Sequence, residues 1–181
     1  MSRLAVPDRD DVPEGSRKIL DAVHDWLGVV PNAFRLMGSN PAVLRGYSVM
    51  NQVLMDTLDT KTLARIALAV AQLYSCDYLV SEQRYLALNV ARMPPEEIEL
   101  SRIGQASSAR TKAVLAFALK VAGERGQISA DDVEAIRNAG LSHAEILAVV
   151  GAVSLNVMTS LLCQVSKVEI DFPVLRCSEW I

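Results

Sequence analysis

The chain has 181 residues, 51% of them apolar but only 5% aromatic, with 18 Lys+Arg against 21 Asp+Glu and three cysteines. That length suits one domain whose core needs no disulfide or metal staple, so a disulfide scaffold is excluded. A net charge of −3 with no basic block argues against nucleic acid or an anionic membrane surface as partner, and the apolar fraction argues against disorder.

Residues 1–15, with Pro7 and Pro13 among charged side chains, read as an extended N-terminal arm. They lack the apolar run and small-residue cleavage site of a secretory leader, which predicts a cytoplasmic protein. In that compartment an odd number of cysteines reads as free thiols. A single domain is expected over 16–174, followed by a C-terminal tail, 175–181.

From Ser16 onward Ile19, Leu20, Val23, Trp26 and Leu27 line one helical face, and Gly28 marks the end. A short helix is expected over Asn32 to Met37. Asn40-Pro41 then supplies an N-cap with proline at the first helical position, opening a helix to about Met55. Asp59 or Thr60 caps the next one, in which Leu63, Ile66, Ala67, Val70, Leu73 and Tyr74 recur at threes and fours. Ser75-Cys76-Asp77 interrupts that pattern, and a further helix starts between Cys76 and Leu79, with Asp77 expected to cap it, and runs to Val90.

Met93-Pro94-Pro95-Glu96 breaks the chain and opens a short helix. Thr111 to Arg125 is helical by its apolar period, and Ser129 caps Ala130 to Asn138. Ser142-His143-Ala144-Glu145 has the S-x-x-E spacing of a capping box. No stretch alternates as a strand does, so the fold class is all-α with about eight or nine helices.

Ile146 to Ser166 carries no charge over 21 residues and passes the length test for a membrane span. It also contains Ser154, Asn156, Thr159, Ser160, Gln164 and Ser166, polar groups that lipid would leave unsatisfied, and it has no basic flank or aromatic belt. A central helix buried within a soluble protein is expected, and no membrane partner.

Chemistry is most plausible at Ser75-Cys76-Asp77-Tyr78-Leu79-Val80-Ser81-Glu82-Gln83. A cysteine at a helix junction has unpaired N–H groups and the helix dipole to stabilise its thiolate, although a free cysteine there also serves as a small buried apolar residue. Glu82 is a second candidate, with a solvated surface carboxylate as its plain structural reading. Cys163 reads as core on the long apolar helix, Cys177 lies in the tail, and sequence alone does not decide on a Cys76–Cys163 bridge. His24 and His143 read as surface or capping residues. No metal-ligand spacing, phosphate loop, serine elbow or dinucleotide fingerprint is present, so no metal or cofactor is expected.

The same segment resembles a known family. Ala64 to Gln83 is similar to the core motif of the carboxymuconolactone decarboxylase and alkylhydroperoxidase-D-like superfamily, roughly E-x11-C-x2-C-x3-H over two helices. Leu27-Gly28-Val29-Val30-Pro31-Asn32-Ala33-Phe34, Asn40-Pro41-Ala42-Val43-Leu44, and Asn156 to Ser160 leading to Glu169-Ile170-Asp171-Phe172-Pro173 resemble its peroxidase-related branch. The resemblance spans residues 20 to 173 and implies that family's helical bundle. In the family the second cysteine attacks peroxide, the first resolves it, and the glutamate and histidine move protons.

Carried over residue by residue, the first cysteine is Cys76 and Tyr78 fills the usual aromatic slot. The second cysteine falls on Leu79, the histidine on Gln83 and the glutamate on Ala64. Leucine forms no sulfenic acid, and neither alanine nor glutamine relays a proton near neutral pH, so a thiol peroxidase of the family type is not expected. The expected function is a divergent, cofactor-independent enzyme acting on a small organic molecule in a pocket between helices. Cys76 and Glu82 are its candidate catalytic groups, and Tyr78, Leu79, Gln83, Asn156, Thr159 and Ser160 its candidate lining. The alternatives are a non-catalytic ligand-binding or structural pseudoenzyme, and a one-cysteine hydroperoxide reductase working through Cys76.

Thr62 to Tyr74 and Ile146 to Cys163 each carry two apolar faces, more than a lone chain of this length needs. Burial between subunits accounts for the excess, and the family resemblance likewise implies a homo-oligomer, a dimer, trimer or hexamer.

Overall fold

A computed structural model describes residues 2–179, and among these residues there are nine α-helices, one 3-10 turn at Arg9–Asp11 and no strand. The first three helices are α1 (Glu14–Leu27), α2 (Asn32–Gly38) and α3 (Pro41–Leu54). Gly28 ends α1 in the left-handed region at φ 76°, and Asn40 caps α3 by accepting from the Ala42 and Val43 N–H groups. The predicted arm is not detached. Its residue Val12 is 2% exposed, and α1 starts at Glu14, directly behind Pro13.

The central helix is α4 (Thr60–Leu73), which Asp59 caps through the Thr62 N–H at 3.0 Å. Ile66, Leu68, Ala69, Val70 and Ala71 are fully buried in it, since α5 (Asp77–Asn89), α6 (Pro95–Arg102), α7 (Ala109–Gly123) and α9 (His143–Ser166) all pack against α4. Small alanines on α4 let those neighbours approach together. Ser108 caps α7, which therefore begins two residues before the expected Thr111 and stops at Gly123, ahead of Arg125, whose φ is 55°. The last short helix, α8 (Ala130–Asn138), and α9 both begin with capping boxes, Ser129 with Asp132 and Ser142 with Glu145.

α9 is long and apolar enough by composition to cross a membrane, yet it is a core helix packed on α3, α4, α5 and α7. Of the six polar side chains noted above, all but Ser160 are hydrogen-bonded within the protein. Ser154 and Thr159 donate to carbonyls four residues back at 2.9 Å, and Gln164 donates to the Tyr74 carbonyl. At Gly151 the side chains of α3 come close: a Cβ there would lie 2.9 Å from Met50 Cε.

The chain beyond α9 folds back as a clasp on α4, α5 and α6. Leu175 N–H donates to Ser81 Oγ at 2.9 Å, Cys177 N–H to Asp77 Oδ1 at 2.8 Å, and Gln72 Nε2 to the Cys177 carbonyl at 2.8 Å. Arg102, 2% exposed, donates to Gln72 Oε1 at 3.1 Å, to the Arg176 and Glu179 carbonyls at 3.3 and 3.0 Å, and to the Glu99 carboxylate. Leu175 and Cys177, placed in a tail by sequence, are thus buried. Asp77 does not cap α5, as expected from sequence; Cys76 holds the N-cap position, and the Asp77 carboxylate instead holds the clasp through Cys177 and Arg176.

Candidate functional site

A cavity of about 100 Å³ opens between α1, α3, α4, α5 and α9. Its walls are mostly apolar, among them Leu63, Ala67 and Leu155, and its polar lining includes Tyr47, Asn51, Thr60, Glu82, Gln83 and Asn156. Asn156 is held in place by donating Nδ2 to the Ala152 carbonyl at 2.8 Å. Such a space suits a small, compact molecule with one or two polar groups.

Glu82 dominates its chemistry. It is 3% exposed, and burial above all, then the negative charge of Asp171 and Cys76, pushes its carboxyl pKa up to about 8; the Gln83 side chain opposes this in part. Near neutral pH it is therefore a protonated acid, able to donate a hydrogen bond or a proton. Tyr47 lies close enough that Glu82 adds to the effect of burial in raising the phenol, while the Thr159 hydroxyl bonds to it and lowers it. No surface carboxylate behaves this way, so the plain reading of Glu82 is corrected. α5 buries Glu82 because the helix is enclosed on several sides, with Val80, Ser81 and Glu82 in succession at most 3% exposed.

Cys76 lies elsewhere. With Cys163, Tyr78 and Gln164 it lines a second cavity of about 190 Å³ between the α4–α5 junction and the C-terminal end of α9. Its thiol pKa is lowered from the ordinary value, first by the hydrogen bond from Cys163, then by the Leu79 N–H and the Ser160 hydroxyl, against burial and Asp77. Cys163 is raised, since it gives its proton to that bond in a buried place.

The sequence-derived site thus divides in two. Glu82, Gln83 and Asn156 share the first cavity, Cys76 and Tyr78 the second, and Leu79, Thr159 and Ser160 line neither. The expectation of one pocket from all of them is corrected: the first turn of α5 faces the second cavity, and the turns carrying Glu82, Leu86 and Val90 face the first. Leu79, 1% exposed, is a packing residue. Tyr78 is a fastener, accepting from the Ala33 N–H and donating to Asp171 Oδ1, both at 2.9 Å. Sequence reading missed Tyr47 and Asn51, whose positions on α3 fit an apolar helical face, and left the proximity of Cys163 and Cys76 open. Among the described residues no group of three or more His, Cys, Asp or Glu side chains is placed to hold a metal ion.

No protein-family model matches the sequence, and no curated protein matches it. Solved structures do. An alkylhydroperoxidase AhpD core, an uncharacterized peroxidase-related protein from Ralstonia eutropha JMP134, superposes with a TM-score of 0.84 at 22% identity, over 94% of this chain and 92% of that one. An uncharacterized peroxidase-related protein from Silicibacter sp. TM1040 gives 0.80 at 21%, over 93% and 91%. The debrominase Bmp8, in a cysteine-to-alanine variant complexed with 2,3,4-tribromopyrrole, gives 0.77 at 15%, over 94% of each chain. The all-helical architecture and these superpositions together show that the chain has the alkylhydroperoxidase-D-like fold.

Proposed function

We propose that this protein is a cofactor-independent enzyme that moves a proton on a small, largely apolar organic molecule bound in the first cavity, with Glu82 as its acid and base. The observation that carries the reading is a buried carboxyl on an apolar cavity with a pKa near its working pH, the condition under which proton transfer in both directions is efficient. The bound tribromopyrrole of the structurally similar debrominase is a ligand of the same kind, small, uncharged and cyclic.

A test uses α-angelica lactone, whose double bond migrates by removal and return of one proton, with the product followed by NMR. Wild-type protein is expected to accelerate the shift, and Glu82→Gln to lower the rate by roughly 10²–10⁴. An unchanged rate in the variant would remove Glu82 from the chemistry. A second reading, a non-catalytic binding protein, is favoured by Leu79, which packs where the resembling family has its second cysteine. It predicts ligand binding in the first cavity with no acceleration.

A cytoplasmic location is part of the proposal and agrees with three free thiols. So is a homo-oligomer, for which the exposed apolar stripe of α9, with Leu147, Leu161 and Val165 each at least half exposed, is the proposed contact. Light scattering at micromolar concentration is expected to give a multiple of the 19.7 kDa chain mass. Leu161→Glu should shift that mass toward one chain, and a wild-type mass of one chain would contradict the assembly.

A further inference from the structure

We propose that Cys76 and Cys163 form a dithiol–disulfide couple that exchanges electrons with small disulfides through the second cavity. The two residues are far apart in sequence, one at the N-cap of α5 and the other near the end of α9, yet their side chains line one cavity, and each thiol is the largest influence on the other. Both are free, 2% and 4% exposed, and both line the same cavity of about 190 Å³. Its lining includes one charge of each sign, Lys167 and Asp77.

Around Cys76 the donors are unusually complete. The Cys163 thiol, the Leu79 N–H and the Ser160 hydroxyl all favour a thiolate. The Ser160 hydroxyl is fully buried and has no hydrogen-bond partner among the described residues. A buried hydroxyl without a partner is costly, and the Cys76 thiol is the group it influences. The two thiols therefore differ in role, Cys76 as the nucleophile and Cys163 as the holder of the proton.

The exchange runs in two steps. Cys76 thiolate attacks one sulfur of RS–SR, the Cys76–S–S–R bond forms, and RS⁻ leaves and takes a proton from solvent. With the Cys76 charge gone, Cys163 loses its proton to solvent and attacks Cys76 Sγ, forming the Cys76–Cys163 bond and expelling the second RS⁻, which is protonated in turn. Two electrons pass from the protein sulfurs to one disulfide, and the two protons come from Cys163 and, because Cys76 starts as a thiolate, from solvent, giving two RSH. Cys177 takes no part. It lies off this cavity, its thiol is directed at the Ala71 carbonyl at 3.9 Å, and burial and Asp77 push its pKa up to about 12.

The couple does not depend on Glu82, and its test does not involve the lactone. Reduced full-length protein is equilibrated anaerobically with oxidised glutathione and followed by intact mass and peptide mapping. Wild type and Cys177→Ser are expected to lose two hydrogens, with a peptide linking Cys76 to Cys163. Cys163→Ser is expected to halt at one glutathione on Cys76, formed at least ~10-fold faster than any adduct on Cys177, as its thiolate character requires. Cys76→Ser should leave Cys163 unmodified. Wild type that keeps three thiols under excess oxidised glutathione overturns the proposal. So does a Cys163→Ser or Cys163→Ala protein, folded by circular dichroism, that gains no adduct on Cys76.

Discussion

Between pH 5 and 8 the wild-type protein is expected to lose several kcal/mol of stability, and Glu82→Gln to lose far less. The folded carboxyl titrates at about 8, against 4.5 in the unfolded chain. Below the unfolded value both states hold the proton, and the stability contributed by the neutral acid is fully present. Above it the unfolded chain releases the proton while the folded one keeps it, so each further pH unit costs ~1.4 kcal/mol until the folded group ionises. Across the window this amounts to roughly 4–5 kcal/mol, and above pH 8 the dependence flattens. Glutamine has the same shape and never ionises. At pH 8 its variant should therefore melt about 10 °C above wild type, while at pH 5 the two should lie close together. Parallel melting curves for the two proteins at both pH values would show that Glu82 is ionised in the folded state.

Arg102→Ala is expected to be the most damaging single substitution outside the cavities, at roughly 3–5 kcal/mol, the usual loss when one member of a buried charged network is removed. The guanidinium is almost inaccessible and joins α6, α4 and the C-terminal clasp through Glu99, Gln72 and the Arg176 and Glu179 carbonyls. Truncation leaves those acceptors facing a void. Arg102→Met keeps the packing of the stem but supplies no donor, so it should fall between alanine and wild type. Urea unfolding followed by circular dichroism measures all three. An alanine variant within about 1 kcal/mol of wild type would mean that the clasp adds nothing to the fold.

Local signals were read well from the sequence, because helix starts depend on neighbouring residues. Asn40, Asp59, Ser129 and Ser142 cap where their spacing says they should. The buried state of Glu82 was not readable that way. It is set by α4 and α9 packing on α5, with α3 on the cavity that Glu82 also lines, and a glutamate beside a glutamine on a weakly amphipathic helix looks solvated. Asp77 likewise has the sequence setting of a helix cap, and only the returning C-terminal segment makes it an anchor. Cys163 read correctly as core, but its partner, Cys76, is brought to it by tertiary packing that no spacing rule encodes.

The clasp also imposes an order on assembly. Ser81 and Asp77 in α5 find their partners 94 and 100 residues later, and Gln72 in α4 finds its own 105 residues later. A chain emerging from the ribosome can form α1 to α4 early, but α5 stays without its anchors until residues 175–177 are free to return. Since α5 carries Glu82 and opens with Cys76, both cavities are completed only after residues 175–177 have left the ribosome, and a shorter nascent chain has neither Glu82 nor the Cys76–Cys163 pair in its final place.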